Sequence, residues 1–266
     1  MAYAEMRVTE HELRREMVRV GRLIWEQGLV AATDGNLSAR IGRDRLLVTP
    51  SGVSKGFYAA EDLVVMGLDG SPVSTHRGRG QRPSSEIAMH LEVYRQRPDV
   101  EAVIHAHPPL ATAFSIAGVS LARCVIPEVI VALGGIPTTE YATPGTAEVP
   151  ESIRQAVRDY DAVIMPHHGS ITVGRTLWEA YLRLEKVEHT AKITLAAQQL
   201  GQVRTLTPEA VAKLTEKRRE LLQTQGRDIC QDCTVCLLGD ETGEDVLVRQ
   251  ITQGVMKNLQ GDMIPR

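Results

Sequence analysis

Apolar residues recur along this chain with two different periods, which predict helices in some stretches and strands in others. After Thr9, a capping-box spacing to Glu12 and apolar residues at every third or fourth position predict a helix that ends near Gly28. The same period predicts further helices at 84–95, 110–117, 149–160, 177–200 and 207–225. Short apolar runs between turn residues predict strands at 37–41, 45–49, 63–68, 100–105, 162–165 and 171–173.

The order of these elements predicts the fold class. Several strand pairs are separated by only a few residues, as at Gly42, and helices occur at irregular intervals. Short turns join antiparallel strands, whereas a doubly wound nucleotide-binding fold needs a helical crossover between parallel strands. We therefore predict an α/β protein in which helices cover a mixed or antiparallel sheet.

Composition narrows the classes of protein. The 266 residues carry a net charge of -3 and only 4% aromatic residues, which excludes a broad basic surface or a base-stacking nucleic-acid binder. Apolar residues make up 43% of the chain, enough for a substantial core. No apolar run approaches the roughly 20 residues of a membrane span. Charged residues are distributed through 1–15, where a signal peptide would have an apolar block. We expect a cytoplasmic protein, with Cys124 as a buried structural thiol.

An HxH pair, His105 and His107, closes one predicted strand and carries the strongest chemical signal. Alternate residues of a strand point to the same face, so both imidazoles face one side. A third imidazole from the pair 167–168 and the carboxylate of Glu86 would complete a set of three nitrogens and one oxygen. Such a set suits zinc, with one position left for a substrate, although spacing does not choose between the two downstream histidines.

Small polar residues and glycines form candidate anion-binding turns on either side of this set. Hydroxyl groups, an amide side chain and free backbone N–H groups at a helix start suit a phosphate. They occur in three segments of the sequence: 33–36, 51–52 and 84–85.

The order of these pieces resembles the class II aldolase/adducin family, and in particular its sugar-phosphate aldolases. The resemblance covers about three quarters of the chain and rests on motifs in the family's order: Thr33-Asp34-Gly35-Asn36-Leu37-Ser38, Thr49-Pro50-Ser51-Gly52, Pro83-Ser84-Ser85-Glu86, His105-Ala106-His107, Tyr141-Ala142-Thr143-Pro144-Gly145-Thr146 and His167-His168-Gly169. It implies a three-layer α/β/α fold with a largely antiparallel central sheet, assembled as a homotetramer with sites at subunit interfaces.

The resemblance also implies roles for individual residues. One Zn²⁺ per subunit would be held by His105, His107 and His168, with Glu86 as the fourth ligand in the resting state. The family pattern thus selects the second histidine of the downstream pair. The phosphate of the substrate would be bound by Asn36, Ser51, Gly52, Ser84 and Ser85.

The implied chemistry is the cleavage of a ketose 1-phosphate. Zinc would polarise the C2 carbonyl, and Glu86, displaced by the substrate, would move the C3 proton. One position departs from the family pattern: Glu128 falls where fuculose-phosphate aldolase has a tyrosine that protonates the aldehyde oxygen. A carboxyl with a raised pKa can donate that proton, and the alternative is an ordinary surface or interface carboxylate.

The leading hypothesis is therefore a zinc-dependent aldolase acting on L-fuculose or L-rhamnulose 1-phosphate, with dihydroxyacetone phosphate and lactaldehyde as products. Alternatives within the family are a pentulose-phosphate 4-epimerase, a methylthioribulose-1-phosphate dehydratase and a decarboxylase. An adducin-like interaction module without catalysis is the alternative of another class.

The C-terminal part of the chain differs in character from the predicted catalytic domain, 1–225. Residues 226–243 form a linker in which Cys230, Cys233 and Cys236 have the spacing of metal or cluster ligands, although free thiols are the simpler interpretation. Residues 244–266 predict an amphipathic helix with an unpartnered apolar face. It resembles the peptides that load enzymes into bacterial microcompartments by binding a shell protein; packing on its own oligomer is the alternative.

Overall fold

The computed structural model describes residues 9–71, 73 and 82–222, which form one central sheet with helices on both faces. The strands are β1 (Asn36–Ile41), β2 (Arg45–Val48), β3 (Val64–Gly67), β4 (Ala102–Ala106), β5 (Ala162–Met165) and β6 (Gly169–Gly174). The helices are α1 (Glu10–Glu26), α2 (Ile87–Gln96), α3 (Pro109–Ile116), α4 (Pro127–Leu133), α5 (Glu148–Ile153), α6 (Ala156–Asp159), α7 (Leu177–Leu200) and α8 (Pro208–Leu222). A short 3-10 helix, Ala60–Asp62, precedes β3.

The sheet has six strands in the order β3-β2-β1-β4-β6-β5, and every neighbouring pair is antiparallel. The three hairpins β1–β2, β2–β3 and β5–β6 connect neighbours in sequence, whereas β4 lies between β1 and β6. The largely antiparallel α/β fold expected from the sequence is confirmed.

Successive residues of β4 face opposite sides of the sheet and pack into two different apolar clusters. Ala102 and Ile104 pack into one apolar cluster with α1 and the first part of α7, and Val103 packs on the opposite face with α2, α5 and α6. A third cluster covers the end of the sheet near β5, where α3 and α4 pack against α7. Helix, sheet and helix therefore form the three expected layers.

Local signals placed several boundaries correctly. Thr9 caps α1 through a capping box with Glu12, and Thr176 caps α7. The sequence missed α4, whose seven residues are too few to show a helical period. The single helix expected at 149–160 is two short helices, α5 and α6, and α2 begins at Ile87 rather than at residue 84.

Cys124 is buried, as expected, but its sulfur is disulfide-bonded, which corrects the expectation of a free thiol. The other predictions for the C-terminal part, the cysteine triplet Cys230, Cys233 and Cys236 and the helix at 244–266, lie outside the described residues. Within the described part of the chain, none of the helices combines the length and the apolar character needed to cross a membrane.

Candidate active site

Three imidazoles meet at one end of the sheet because of the register between β1, β4 and β6. His105 lies on β4 with its side chain fully buried, directly opposite Asn36 of β1 and Ile171 of β6. His107 follows two residues later, so its ring points to the same side. The Nε2 atoms of His105 and His107 lie 3.0 Å apart.

The third imidazole comes from the hairpin turn between β5 and β6. In this turn His167 takes a left-handed conformation, with φ of 57°, and its side chain is exposed. The next residue, His168, is therefore directed inward, and its ring centroid lies 4.7 Å from that of His105. Of the two histidines that spacing could not separate, the structure brings His168 into the cluster.

Glu86 completes the cluster from the start of α2. It occupies the N-cap position of the helix, but its side chain makes no capping hydrogen bond there. One carboxylate oxygen lies 3.0 Å from Nε2 of His168, and the other lies 3.4 Å from Nε2 of His105. The amide nitrogen of Asn36 donates a hydrogen bond of 3.0 Å to the second oxygen and so orients the carboxylate.

The environment fixes the protonation of this group. Burial alone would raise the pKa of Glu86, but hydrogen bonds with His105 and His168 outweigh it, so the pKa is held well below its ordinary value. Burial, with the imidazoles of His105 and His168 close by, lowers the pKa of His107 to about 4. At neutral pH the cluster therefore contains an ionised carboxylate and a neutral His107.

The donor atoms fit a divalent cation. Nδ1 of His105 donates to the carbonyl oxygen of Ser170 at 2.9 Å, which leaves the lone pair on Nε2 when the ring is neutral. Nε2 of His105 lies 3.0 Å from Nε2 of His107 and 3.4 Å from a carboxylate oxygen of Glu86, so a cation shared by these atoms would take the place of the proton between His105 and Glu86. The potential ligand atoms of His105, His107 and His168 all lie within 4.8 Å of one another.

Gly169, directly after His168, allows β4 and β6 to approach closely at the site. A Cβ atom at this position would collide with the carbonyl oxygen of Ala106 and lie 2.8 Å from Cδ2 of His107. We expect Gly169→Ala to lower the free energy of unfolding by about 2–3 kcal/mol and to reduce metal binding, because His107 must move. Chemical denaturation and metal analysis measure the two effects.

Gly42→Ala is the matched control for this substitution. Gly42 has φ of 70° but no atom within 4 Å of an added Cβ, so only backbone strain of about 1 kcal/mol is expected. Equal losses of stability in the two variants, with metal binding intact in both, would contradict the steric explanation.

The candidate phosphate-binding segments lie next to the cluster. Ser51 donates its backbone N–H to the carbonyl of Arg82 at 2.8 Å, and Pro50 pairs with Pro83 in an isolated bridge. These contacts bring the turn that contains Ser51 and Gly52 beside the segment that contains Ser84 and Ser85. The five residues that the family resemblance assigned to phosphate thus lie on segments that converge, with Asn36 in direct contact with Glu86.

Lys55 is a residue of this region that the sequence interpretation missed. It is 2% exposed, and its Nζ donates to the carbonyl oxygens of Thr33 at 2.9 Å and Val53 at 2.7 Å. Burial lowers its pKa to about 8, while the negative charges of Asp34 and Glu86 act in the opposite direction. A lysine three residues after Ser51-Gly52 was the available signal, but a lysine at a turn is ordinarily exposed.

Two other titratable residues lie outside the cluster. Glu128 is exposed on the first turn of α4, and among the described residues no hydrogen bond or ion pair connects it to the imidazoles. His90, on α2, is fully buried with Nδ1 at 2.7 Å from the hydroxyl of Ser38, and burial lowers its pKa to about 3. His90 is therefore a neutral core residue.

The antiparallel α/β/α fold with three imidazoles and a carboxylate at one end of its sheet agrees with the comparison with known families. Residues 15–195 match the profile of the family described as Class II Aldolase and Adducin N-terminal domain. The chain belongs to this family.

Individual relatives agree with this membership. A 3-oxo-tetronate 4-phosphate decarboxylase of Pectobacterium atrosepticum is 32% identical over 78% of this chain and 94% of its own length. An L-fuculose phosphate aldolase of Methanococcus maripaludis is 31% identical over 67% of this chain and 93% of its own. The crystal structure of YgbL from Escherichia coli superposes with a TM-score of 0.70 at 31% identity and covers 77% of this chain and 99% of YgbL. The family contains both aldolases and decarboxylases, and its members typically use a divalent metal.

Proposed function

We propose that this protein is a zinc-dependent aldolase that cleaves a ketose 1-phosphate, such as L-fuculose or L-rhamnulose 1-phosphate, to dihydroxyacetone phosphate and lactaldehyde. The observation that supports it most is the convergence of His105, His107 and His168 on the carboxylate of Glu86. An interaction module without chemistry would have no use for such a group of buried donors, and polar groups are costly to bury without a partner.

Different residues of the site have different proposed roles in this reaction. When bound, the cation would supply a Lewis acid for the substrate carbonyl, which is what the donor set is suited to hold. Glu86, ionised and oriented by Asn36, is placed to move a proton at C3 of the substrate. The turns at 51–52 and 84–85 would hold the phosphate away from the breaking bond and so position C3.

Bond changes in the proposed reaction are simple. The C3–C4 bond breaks, and its electron pair remains with C3 in the enediolate of dihydroxyacetone phosphate. The hydroxyl group on C4 loses its proton and becomes the aldehyde oxygen. Glu86 takes up a proton from solvent once the substrate has displaced it from the imidazoles, and it passes this proton to C3 to complete dihydroxyacetone phosphate. The acid or base at the C4 oxygen is the role proposed for Glu128.

A second candidate is decarboxylation of a 3-oxo-tetronate 4-phosphate. Four relatives with that name align with 77–79% of this chain, against 66–68% for four fuculose phosphate aldolases of Methanococcus and Methanocaldococcus, although a solved L-fuculose 1-phosphate aldolase also covers 77%. Loss of C1 as CO₂ leaves an electron pair on C2 next to the C3 carbonyl, and protonation of C2 again yields dihydroxyacetone phosphate. Both candidates therefore need the same carbonyl activation, phosphate contacts and proton donor, and they differ only in the group that leaves.

A substrate panel separates the two candidates. We expect dihydroxyacetone phosphate from L-fuculose or L-rhamnulose 1-phosphate, measured by coupled NADH oxidation, with one lactaldehyde per triose and loss of activity with a chelator. Release of CO₂ from 3-oxo-tetronate 4-phosphate, with neither ketose 1-phosphate cleaved, would replace the aldolase assignment by the decarboxylase. Conversion of a substrate without formation of triose phosphate would favour the epimerase or dehydratase alternatives.

Glu128→Gln should slow aldehyde release but not CO₂ release. Only aldol cleavage includes a proton transfer at the C4 oxygen, which is the step assigned to Glu128.

The proposed assembly is a homotetramer with the site near a subunit interface. Glu128 is exposed within the single chain, so a role at the aldehyde oxygen would have it act on the site of a neighbouring copy. Mass measurement of the native protein in solution tests the tetramer. Loading into a microcompartment through residues 244–266 also remains a proposal based on the sequence pattern.

A further inference from the structure

Lys55 joins two turns that are far apart in sequence and that both belong to the candidate phosphate site. Its Nζ donates to the carbonyl of Thr33 in the turn 33–36 and to the carbonyl of Val53 beside Ser51-Gly52. The pairing of β1 with β2 aligns the strand ends next to these turns, as in the hydrogen bonds between Leu37 and Thr49. The ammonium group links the turns themselves, because it binds Thr33 in one and Val53 in the other.

The chemistry of this contact is unusual for a structural lysine. Lysine is rarely buried unless it is paired with a carboxylate, because desolvation of the charge is costly. Here the two hydrogen-bond acceptors are backbone carbonyls, and the negative charges that favour the ammonium are those of Asp34 and Glu86. An anion bound by these two polar turns would further stabilise the buried positive charge that contacts both of them.

We propose that Lys55 is a positioning residue for the phosphate of the substrate: it holds the two turns at the spacing that an incoming phosphate requires and supplies positive charge beneath them. The inference rests on the proposed function, since it assigns the binding of the phosphate to this side of the site. Lys55 acts through the turns 33–36 and 51–53 and not by touching the reacting carbons.

The experiment compares Lys55→Met with the wild type, using inorganic phosphate as the probe. We expect the inhibition constant for phosphate and the KM for a phosphorylated substrate to rise about 10- to 100-fold, the range expected when a charged hydrogen-bonding group is lost. The value of kcat should change by less than about 3-fold and the bound metal should stay the same, because the imidazole cluster does not include Lys55. Lys213→Met is the matched control: it removes the same charge from an exposed position on α8 and should change none of these values.

Two further variants keep the proposal testable if Lys55→Met does not fold. Lys55→Gln retains an N–H donor for one of the two carbonyls without the charge and should weaken phosphate binding. Lys55→Arg retains the charge and should recover part of it. Unchanged phosphate inhibition in a folded Met or Gln variant would overturn the proposal, as would parallel losses of kcat and metal with KM unaltered.

The wild type distinguishes this failure from failure of the proposed function. A wild-type protein that neither converts phosphorylated substrates nor is stabilised by phosphate would refute the proposed function itself. A wild type that does both, with the Lys55 variants behaving identically, would refute only the role of Lys55.

Discussion

Replacing His105 with alanine is expected to abolish metal binding and to lower kcat/KM by about 10³-fold or more. A cation held by the imidazoles would supply several kcal/mol of charge stabilisation, and each 1.36 kcal/mol corresponds to about a tenfold change in rate. His105 is fully buried between β1 and β6, and the carbonyl of Ser170 fixes its ring so that it faces the imidazoles of His107 and His168. Metal analysis and steady-state kinetics measure the two losses.

His11→Ala is the control for this variant, because His11 is exposed on the first turn of α1. It should retain full activity and metal content. Since removing a buried ring also leaves a cavity, thermal unfolding of His105→Ala without metal should be compared with that of the metal-free wild type. Full metal occupancy in a folded His105→Ala protein would refute the assignment of the imidazole cluster as the metal site.

Replacing Glu86 with glutamine is expected to lower kcat by about 10²- to 10⁴-fold, the usual contribution of a general acid or base. Glutamine has nearly the same shape and retains an oxygen that can accept the hydrogen bond from Asn36, so the surrounding structure should be preserved. It cannot take up a proton at C3. Exchange of the corresponding hydrogen of dihydroxyacetone phosphate in D₂O, followed by NMR, should therefore be lost together with turnover.

The phosphate inhibition constant provides an internal control for Glu86→Gln, because it should remain within about 3-fold of the wild-type value if the turns are intact. Glu61→Gln, an exposed substitution of the same kind on the short 3-10 helix, should leave all values unchanged. Exchange at the wild-type rate in Glu86→Gln would exclude Glu86 as the group that moves the proton.

The two variants also report on different parts of the proposal. Loss of a bound cation would remove the proposed activation of the carbonyl and is expected to affect aldol cleavage and decarboxylation alike. Loss of the base at Glu86 affects protonation of the carbon, a step that both reactions share. Neither variant therefore distinguishes the two candidate substrates, and the panel of substrates remains the decisive measurement for that question.

Local sequence signals predicted those parts of the fold that depend on neighbouring residues. The capping box at Thr9 and the long apolar stripe of α7 are properties of one segment, and both were read correctly. The short helix α4 was missed because its seven residues begin with a proline and are mostly apolar, a pattern that helices and strands share. The helix expected at 149–160 divides at residues 154–155, although nothing in the apolar spacing marks this division.

In the candidate site, too, some features could be predicted from the sequence and others depend on the tertiary structure. The sequence by itself determined the chemistry of the ligands, because two histidines separated by one residue on a strand must face the same side. Spacing left the downstream histidine open and the family resemblance implied His168; the tertiary structure supplies the physical reason, since the left-handed turn at His167 directs His168 inward. It also decided that Asn36 contacts Glu86 and that Lys55 is buried between two turns, because both contacts join segments brought together by the sheet. Strand register and burial arise from packing across the whole domain, and no local pattern records them.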